Sequence, residues 1–189
     1  MDTFRIVPLT AEQVRRLYGE RLTADFPPEE LKPLSAIETA LSGGRYACWG
    51  AADGDEILAY AFFVKNGAWA LLDYYAVRRD LRCRGVGSRF LRRLSEEVLE
   101  GYDTVLLETD EPDAAPDEGE REIRERRLRF YLRNGLTETG VRAAAWGVLF
   151  RILALPVGET PTAGKTREVY AALYRSVMPE ALFYEKIRI

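Results

Sequence analysis

The sequence predicts a mixed α/β fold in which a mostly antiparallel sheet of about six to seven strands is flanked by helices. Three observations predict this fold. Residues 45–77 hold three strand-like runs joined by the turn signals Asp53-Gly54-Asp55 and Asn66-Gly67. An arginine- and glycine-rich loop then leads into an amphipathic helix. Beyond that helix, residues 104–108 form a short apolar run, which a helical connection would place parallel to the third strand.

The stretch before these strands predicts one strand and two helices. Residues 3–8 alternate polar and apolar side chains, as a half-buried strand does. Thr10 and Gln13 fit a capping box that would begin the first helix. A second helix would begin at Pro27-Pro28 and end at Gly43-Gly44, and Pro33 is expected to split it.

The second half of the chain alternates polar segments with periodic ones. Residues 109–121 are acidic and contain proline and glycine, so we expect a loop there. The patterns that follow predict a helix, two strands, a helix and a last strand, at residues 122–133, 136–139, 144–155, 165–177 and 182–189. No internal repeat or linker is visible. We therefore expect a single domain spanning residues 1–189.

The arginine- and glycine-rich loop has the features of an anion-binding site. It reads Arg82-Cys83-Arg84-Gly85-Val86-Gly87 and stands between the strand at residues 69–77 and the amphipathic helix. The first turn of a helix has unpaired backbone N–H groups and favours negative charge. Glycines let a phosphate approach that backbone, and neighbouring arginines add charge-assisted hydrogen bonds. The alternative is a tight turn followed by a solvated basic face.

Two segments carry a resemblance to a known family. Arg82-x-x-Gly85-x-Gly87, after a strand that ends Tyr75-Ala76-Val77, resembles the acyl-CoA pyrophosphate loop of the GNAT superfamily N-acetyltransferases. The segment from Phe130 to Leu136, Phe-Tyr-Leu-Arg-Asn-Gly-Leu, resembles that family's F-Y-x-x-x-G-F segment, with Leu136 in place of Phe. The resemblance covers residues 45–150. It implies a GNAT-like sheet that splays between its fourth and fifth strands.

The resemblance also implies a co-substrate, acetyl-CoA, and the residues that would bind it. These cofactor-binding residues are Ala76, Val77, Arg82, Arg84, Gly85, Val86, Gly87, Ser88 and Arg89. By the same resemblance, Tyr131 is the acid that protonates the departing thiolate, and a backbone N–H near Ala76 and Val77 stabilises the oxyanion. The chain departs from the family at Arg127, where many members have alanine, and at the absence of an asparagine after Glu108.

Direct attack of an amine on the thioester also requires a base. Because the chain contains no histidine, the base has to be Asp, Glu, Tyr, Lys or Cys. Glu108 stands at the end of a strand, where open α/β sheets place their ligands, and Asp110, two residues on, shares its face if the strand continues. Asp73 lies within the third strand of the antiparallel run, on the same face as Tyr75 and Val77 by strand alternation. These three carboxylates are the candidate bases.

Composition narrows the functional classes. The net charge of −3 disfavours non-specific nucleic-acid binding, and the local concentration of basic residues at 78–93 fits a small anionic ligand better than a long polyanion. Two cysteines, Cys48 and Cys83, do not form a disulfide framework. Cys48 is expected to be a packed thiol, while Cys83 is either reactive between its arginines or a loop residue without a role. We expect a cytoplasmic protein, a monomer or homodimer, that uses no metal and binds neither nucleic acid nor a membrane.

The expected function is transfer of an acetyl group from acetyl-CoA to a primary amine. The acidic segment at residues 110–122 favours a small cationic acceptor. Aromatic residues on the strands could line its pocket or belong to the core. Two alternatives stay open: a non-catalytic acyl-CoA-binding sensor or scaffold domain, and, more remotely, nucleic-acid binding by residues 78–93.

Overall fold

A computed structural model describes residues 4–155, 157 and 159–189, without the side chain of residue 29. The chain divides into two compact units. The first comprises Met1–Lys65 and Leu72–Val98, and the second comprises Asn66–Leu71 and Leu99–Ile189. Each unit is discontinuous in sequence, and each has its own strands and helices. The single-domain assignment stays a prediction.

Four antiparallel strands begin the chain, and most of their residues lie in the first unit. They follow the order β1-β2-β3-β4, at Arg5–Pro8, Tyr46–Asp53, Glu56–Asn66 and Trp69–Val77. β1 pairs antiparallel with β2, and β2 pairs antiparallel with β3. β3 is buried along most of its length, since Ala59 to Val64 are all at most 1% exposed. These strands lie where the turn signals predicted them.

Capping residues and prolines determine where the helices of the first unit begin. α1 (Ala11–Leu17) begins with the expected capping box: Thr10 and Gln13 exchange hydrogen bonds between side chain and backbone. A π-helical turn at Tyr18–Leu22 leads into α2 (Thr23–Asp25). Pro33 does split the second helical pattern, which yields a 3₁₀ turn at Pro28–Glu30 and α3 at Leu34–Ser42.

The helix after the arginine- and glycine-rich loop is α4, at Val86–Glu97. Its buried side chains are Val86, Phe90, Leu91 and Leu94, four of the five residues of the predicted apolar stripe; the fifth, Val98, is the half-buried residue that follows the helix. Phe90 stacks on Tyr75 of β4 with the ring centroids 5.6 Å apart, and meets Phe4 edge to face at 6.2 Å. These aromatic contacts position the start of α4 against its own strands.

The second unit contains the remaining four strands, in the order β5-β7-β6-β8. They lie at Thr104–Asp110 (β5), Thr137–Ala145 (β6), Val148–Ala154 (β7) and Ile187–Arg188 (β8). The pairings of β5 with β7, β6 with β7, and β6 with β8 are all antiparallel. Its helices are α5 (Glu118–Arg133), α6 (Ala163–Val177) and α7 (Glu180–Lys186).

The expected loop at residues 109–121 is mostly ordered structure. Thr109 and Asp110 continue β5, because they pair with Arg151 and Phe150 of β7. A 3₁₀ turn follows at Pro112–Ala114, and the Asp117 side chain accepts a hydrogen bond from the Glu120 N–H to begin α5. The acidic residues are therefore those that a helix start favours, not a sign of irregular chain.

Two other segments also differ from the prediction. The strand expected at residues 144–155 is interrupted by a two-residue hairpin at Trp146-Gly147, where both residues have positive φ, 49° and 84°. The strand expected at residues 182–189 is instead α7 followed by the short β8. Glu180 in the first turn of α7 and Lys186 in the last turn complement the helix dipole.

The predicted fold class is confirmed. The described residues form an open, mostly antiparallel sheet flanked by helices, with eight strands where six to seven were expected.

Candidate active site

The start of α4 is open to an anion. Gly85 precedes the helix with φ 75° and ψ 0°, in the left-handed region that favours glycine. Among the described residues no side chain caps this helix start, and its first turn contains no acidic residue. A Cβ built on Gly85 would lie 3.3 Å from Nη1 of Arg89. The first-turn N–H groups therefore lie in surroundings that favour an anion, and the phosphate site itself stays a prediction.

The loop before α4 is fastened to β4 at two points. The Tyr75 hydroxyl donates a hydrogen bond to the Gly87 carbonyl at 2.6 Å. Nε of Arg82 donates to the Val77 carbonyl at 3.2 Å. Cys83 between these points has φ 61°, so the loop holds a non-glycine residue in the left-handed region as well. Ala76, Val77 and the α4 start thus belong to one fastened segment.

The arginines of this loop differ in their contacts. Arg78 pairs with Glu56 at 2.6 Å and with Asp80 at 2.8 Å. Arg79 and Arg82 both pair with the carboxylate of Asp25. Arg84 is exposed and forms no ion pair among the described residues. The expectation that all these arginines surround the phosphate is therefore too simple, since several already hold carboxylates of the chain.

Asp25 is a residue that sequence reasoning missed. Its side chain is 4% exposed and lies 2.7 Å from Nη2 of Arg82 and 3.5 Å from Nε of Arg79. The Tyr60 hydroxyl also donates to it, at 3.1 Å. Burial, together with the Asp25 charge, raises the pKa of Tyr60. Asp25 thus connects the loop to α2 and β3, and no local pattern in the sequence could have indicated it.

Asp73 lies in a different cluster from the one that strict alternation predicts. Its carboxylate accepts hydrogen bonds from the Tyr46 hydroxyl and, at 2.5 Å, from Nζ of Lys32. Tyr75, expected on the same face, instead packs on α4. The side chain of Asp73 is 4% exposed. Burial, and then the Asp73 charge, raise the pKa of Tyr46 well above its usual value. Lys32 and Tyr46 are further residues that the sequence did not indicate.

In the second unit, Glu108 and Asp110 have separate partners. Glu108 accepts hydrogen bonds from the hydroxyls of Tyr170 and Tyr174 on α6, the latter at 2.8 Å. Asp110 forms an ion pair with Arg127 of α5, and its side chain is 8% exposed. Arg127, which stands where the resembled family often has alanine, is therefore the partner of a candidate base.

Tyr131 is buried on α5, one turn after Arg127. It is 7% exposed, and its ring meets that of Phe130 edge to face at 5.3 Å. Burial raises the pKa of Tyr131 to about 12, with Arg127 acting to lower it and Asp110 to raise it. Among the described residues its hydroxyl has no hydrogen-bond partner. A neutral phenol with an unused donor is suited to protonating a thiolate.

Glu111 forms an ion-pair network that the sequence did not reveal. Its side chain is 3% exposed and binds Arg151 and Arg142, each at 2.5 Å. Arg151 also approaches Glu138 at 3.3 Å. Burial by itself would raise the pKa of Glu111, but the hydrogen bonds from the two arginines outweigh it and lower the pKa. This network fastens the end of β5 to the β6–β7 hairpin.

The two cysteines differ as expected in exposure. Cys48 is buried, and burial, assisted by the Asp73 charge, raises the pKa of its thiol. Cys83 is exposed. Within the described part of the chain, no group of three or more His, Cys, Asp or Glu residues could hold a metal ion. No helix that the structure describes is both long and apolar enough to cross a bilayer.

Comparison with known proteins adds family information. A family model described as the acetyltransferase (GNAT) family matches residues 11–116, which is more than half of the chain. Among curated proteins no match was found.

Solved structures with the same fold include three acetyltransferases. A putative GNAT-family acetyltransferase from Bacteroides thetaiotaomicron is 22% identical over 87% of this chain and 92% of its own, with a TM-score of 0.66. The ribosomal-protein-S18-alanine N-acetyltransferase from Escherichia coli is 20% identical over 84% and 97%, with a TM-score of 0.57. An aminoglycoside 6'-N-acetyltransferase complexed with coenzyme A is 22% identical over 83% and 99%, with a TM-score of 0.59.

Proposed function

We propose that this chain, which belongs to the acetyltransferase (GNAT) family, transfers an acetyl group from acetyl-CoA to a primary amine of a small cationic acceptor. The observation that carries the proposal is the start of α4. Gly85 in the left-handed region exposes uncapped first-turn N–H groups on a fastened loop. Family membership supplies acyl transfer, and this anion site supports acetyl-CoA as the donor. Structures of similar fold, one of them complexed with coenzyme A, support the same donor.

In this proposal the backbone holds the pyrophosphate. The N–H groups of Val86, Gly87 and Ser88 would donate to it, while the exposed Arg84 adds positive charge. The Arg89 N–H already donates to the Gly85 carbonyl at 3.1 Å, so Arg89 would contribute through its side chain. Arg82 is engaged with Asp25 and Val77, so its role would be to hold the loop in shape. Ala76 and Val77 would supply backbone groups to the pantetheine arm and the acetyl carbonyl.

The three candidate bases differ in what they contact. Asp110 forms an ion pair with the guanidinium of Arg127, and Glu108 accepts hydrogen bonds from two tyrosine hydroxyls. Asp73, in contrast, already accepts a hydrogen bond from an alkylammonium, that of Lys32. A base in this reaction must make the same contact with the acceptor amine. We therefore propose Asp73 as the base and assign positioning roles to Glu108 and Asp110.

The proposed reaction consists of two proton transfers, one bond formed and one bond broken. The acceptor ammonium gives a proton to Asp73, and the neutral amine nitrogen attacks the thioester carbonyl carbon. The C–S bond breaks and the departing thiolate takes up a proton, for which Tyr131 is the candidate donor that the family resemblance implies. With its pKa raised to about 12, Tyr131 is protonated at neutral pH and so able to donate. No covalent intermediate with the protein is needed.

The first test is calorimetric titration with acetyl-CoA. We expect saturable binding by the wild type and none by Gly85→Glu, because the new side chain would occupy the phosphate position. Gly54→Glu is the matched control, since Gly54 also has positive φ, 58°, and nothing lies within 4 Å of an added Cβ. Absence of wild-type binding at about 1 mM acetyl-CoA, the range of weak specific ligands, would contradict the proposal.

The second test separates an enzyme from a binding domain. Thiol release from acetyl-CoA is followed while primary amines are supplied one by one. Release that depends on the amine supports transfer. Binding without release for any amine would favour a non-catalytic acyl-CoA sensor or scaffold instead.

A further inference from the structure

Asp73 pairs with a lysine, and lysine is the rarer of the two basic residue types in this chain. Of the 27 basic residues only four are lysines, at positions 32, 65, 165 and 186. The buried carboxylates of Asp25, Asp110 and Glu111 are all held by arginines. Arginine is the usual choice for such pairs, because its planar fork matches a carboxylate. A primary ammonium at Asp73 is therefore a departure from the chain's own pattern.

The surroundings of the Lys32 ammonium are those of an ammonium-binding site. Nζ lies 2.5 Å from Oδ1 of Asp73 and 5.6 Å from the centre of the Tyr74 ring. The Tyr46 hydroxyl donates to the other carboxylate oxygen. Phe62 meets the rings of Tyr46 and Tyr74 edge to face, each at 6.2 Å. A carboxylate combined with aromatic rings is how proteins recognise alkylammonium groups.

The Lys32 side chain can leave this site without unfolding the segment that carries it. Its backbone is held independently, because the Lys32 N–H donates to the Tyr74 hydroxyl at 2.8 Å and the Lys32 carbonyl accepts from Tyr18 at 3.0 Å. Tyr74 in turn donates to the Glu30 carbonyl at 2.8 Å. The lysine side chain is 20% exposed, so its flexible stem has a route to solvent.

We propose that Asp73, Tyr46 and Tyr74 form the ammonium-binding part of the acceptor site, and that Lys32 occupies it until the acceptor displaces it. Lys32 is then an internal competitor. An acceptor that replaces it carries a primary ammonium on an unbranched alkyl chain, as lysine does. This inference rests on the proposed function, because it assigns the acceptor of the same reaction.

The test uses n-butylammonium, which reproduces the end of a lysine side chain. It is titrated calorimetrically into the wild type, Lys32→Met and the double variant Lys32→Met/Asp73→Asn. We expect Lys32→Met to bind it at least tenfold more tightly than the wild type, and the double variant to lose that gain. Lys165→Met is the matched control, since Lys165 pairs with Glu168 on the surface, and it should bind as the wild type does. Lys32→Gln provides a second variant if Lys32→Met does not fold.

The kinetic arm distinguishes an acceptor site from a structural ion pair. With acetyl-CoA present, Lys32→Met should lower the KM for n-butylamine at least tenfold while kcat changes little. A folded Lys32 variant that gains no affinity for n-butylammonium would overturn the inference. Tighter binding with an unchanged KM would also overturn it, because the cluster would then bind ammonium without being part of the acceptor site. If no variant releases thiol with any amine, the proposed function fails, while calorimetry still decides whether the cluster binds ammonium.

Discussion

The start of α4 and the end of β5 differ in whether their polar groups already have partners within the chain. At the start of α4 the useful groups are backbone N–H donors, left uncapped by side chains and preceded by an exposed arginine, Arg84. At the end of β5, three carboxylates lie within four positions, those of Glu108, Asp110 and Glu111, and each has donors from other elements. The first region is open to an anion from outside, whereas the carboxylates of the second region already have hydrogen-bond donors within the chain.

This difference has energetic consequences. At the start of α4 the free energy of anion binding is shared among several backbone N–H groups, so one exposed arginine contributes little. A buried carboxylate depends on each of its partners, because removing one leaves a charge without compensation in a poorly solvated place. Arginines in the two regions should therefore respond very differently to the same substitution.

The largest effect is expected for Arg151→Ala. Glu111 would keep only the half-exposed Arg142, so the free energy of unfolding should fall by about 3 kcal/mol. Arg121→Ala is the control, since Arg121 forms only exposed pairs and should cost no more than about 1 kcal/mol. Urea unfolding followed by circular dichroism measures both. Equal losses in the two variants would remove the distinction between the regions.

Tyr131→Phe should have the next largest effect, and on catalysis alone. Removing the proposed acid is expected to lower kcat about 100-fold, the low end for general acid catalysis, while acetyl-CoA affinity stays as it is. Tyr184→Phe serves as a control on an exposed tyrosine. The measurement is thiol release with the best amine found. An unchanged kcat in Tyr131→Phe would show that another group protonates the thiolate.

The Glu111 network should also make stability depend on pH. The pKa of Glu111 is lowered in the folded chain, so its contribution is complete above the ordinary value of 4.5 and is lost as the pH falls through the lower folded value. Glu111→Gln should therefore be less stable than the wild type at neutral pH, with a difference that shrinks on acidification. Unfolding free energies at about pH 7 and pH 3 test this. A constant difference would mean that Glu111 is not titrating as inferred.

The smallest effect is expected for Arg84→Ala. Because the backbone carries most of the anion binding, acetyl-CoA affinity should fall only a few-fold, and less so at high salt, where exposed charges are screened. Calorimetry at two salt concentrations measures this. A loss as large as that of Gly85→Glu would show that Arg84, not the helix start, holds the phosphates.

The same contrast explains how much the sequence could predict. The α4 start could be inferred, because a strand, two glycines and an apolar stripe all lie within about twenty consecutive residues. The partners of Asp73 and Glu111 could not, because Lys32 lies 41 positions from Asp73 and Arg151 lies 40 from Glu111. Strict alternation also gave the wrong neighbours for Asp73. The acidic stretch at residues 109–121 was misread as a loop because a helix start and a solvated loop favour the same residues.

The division of the chain into two interleaved units has a consequence for protein engineering. Asn66–Leu71 belongs to the second unit although both neighbouring stretches belong to the first, so the backbone passes between units at 65/66, 71/72 and 98/99. No single cut can then yield both units as separate polypeptides. Exchange with a relative would require three junctions, one of them inside β4. Recombination by one crossover would instead combine incomplete pieces of each unit.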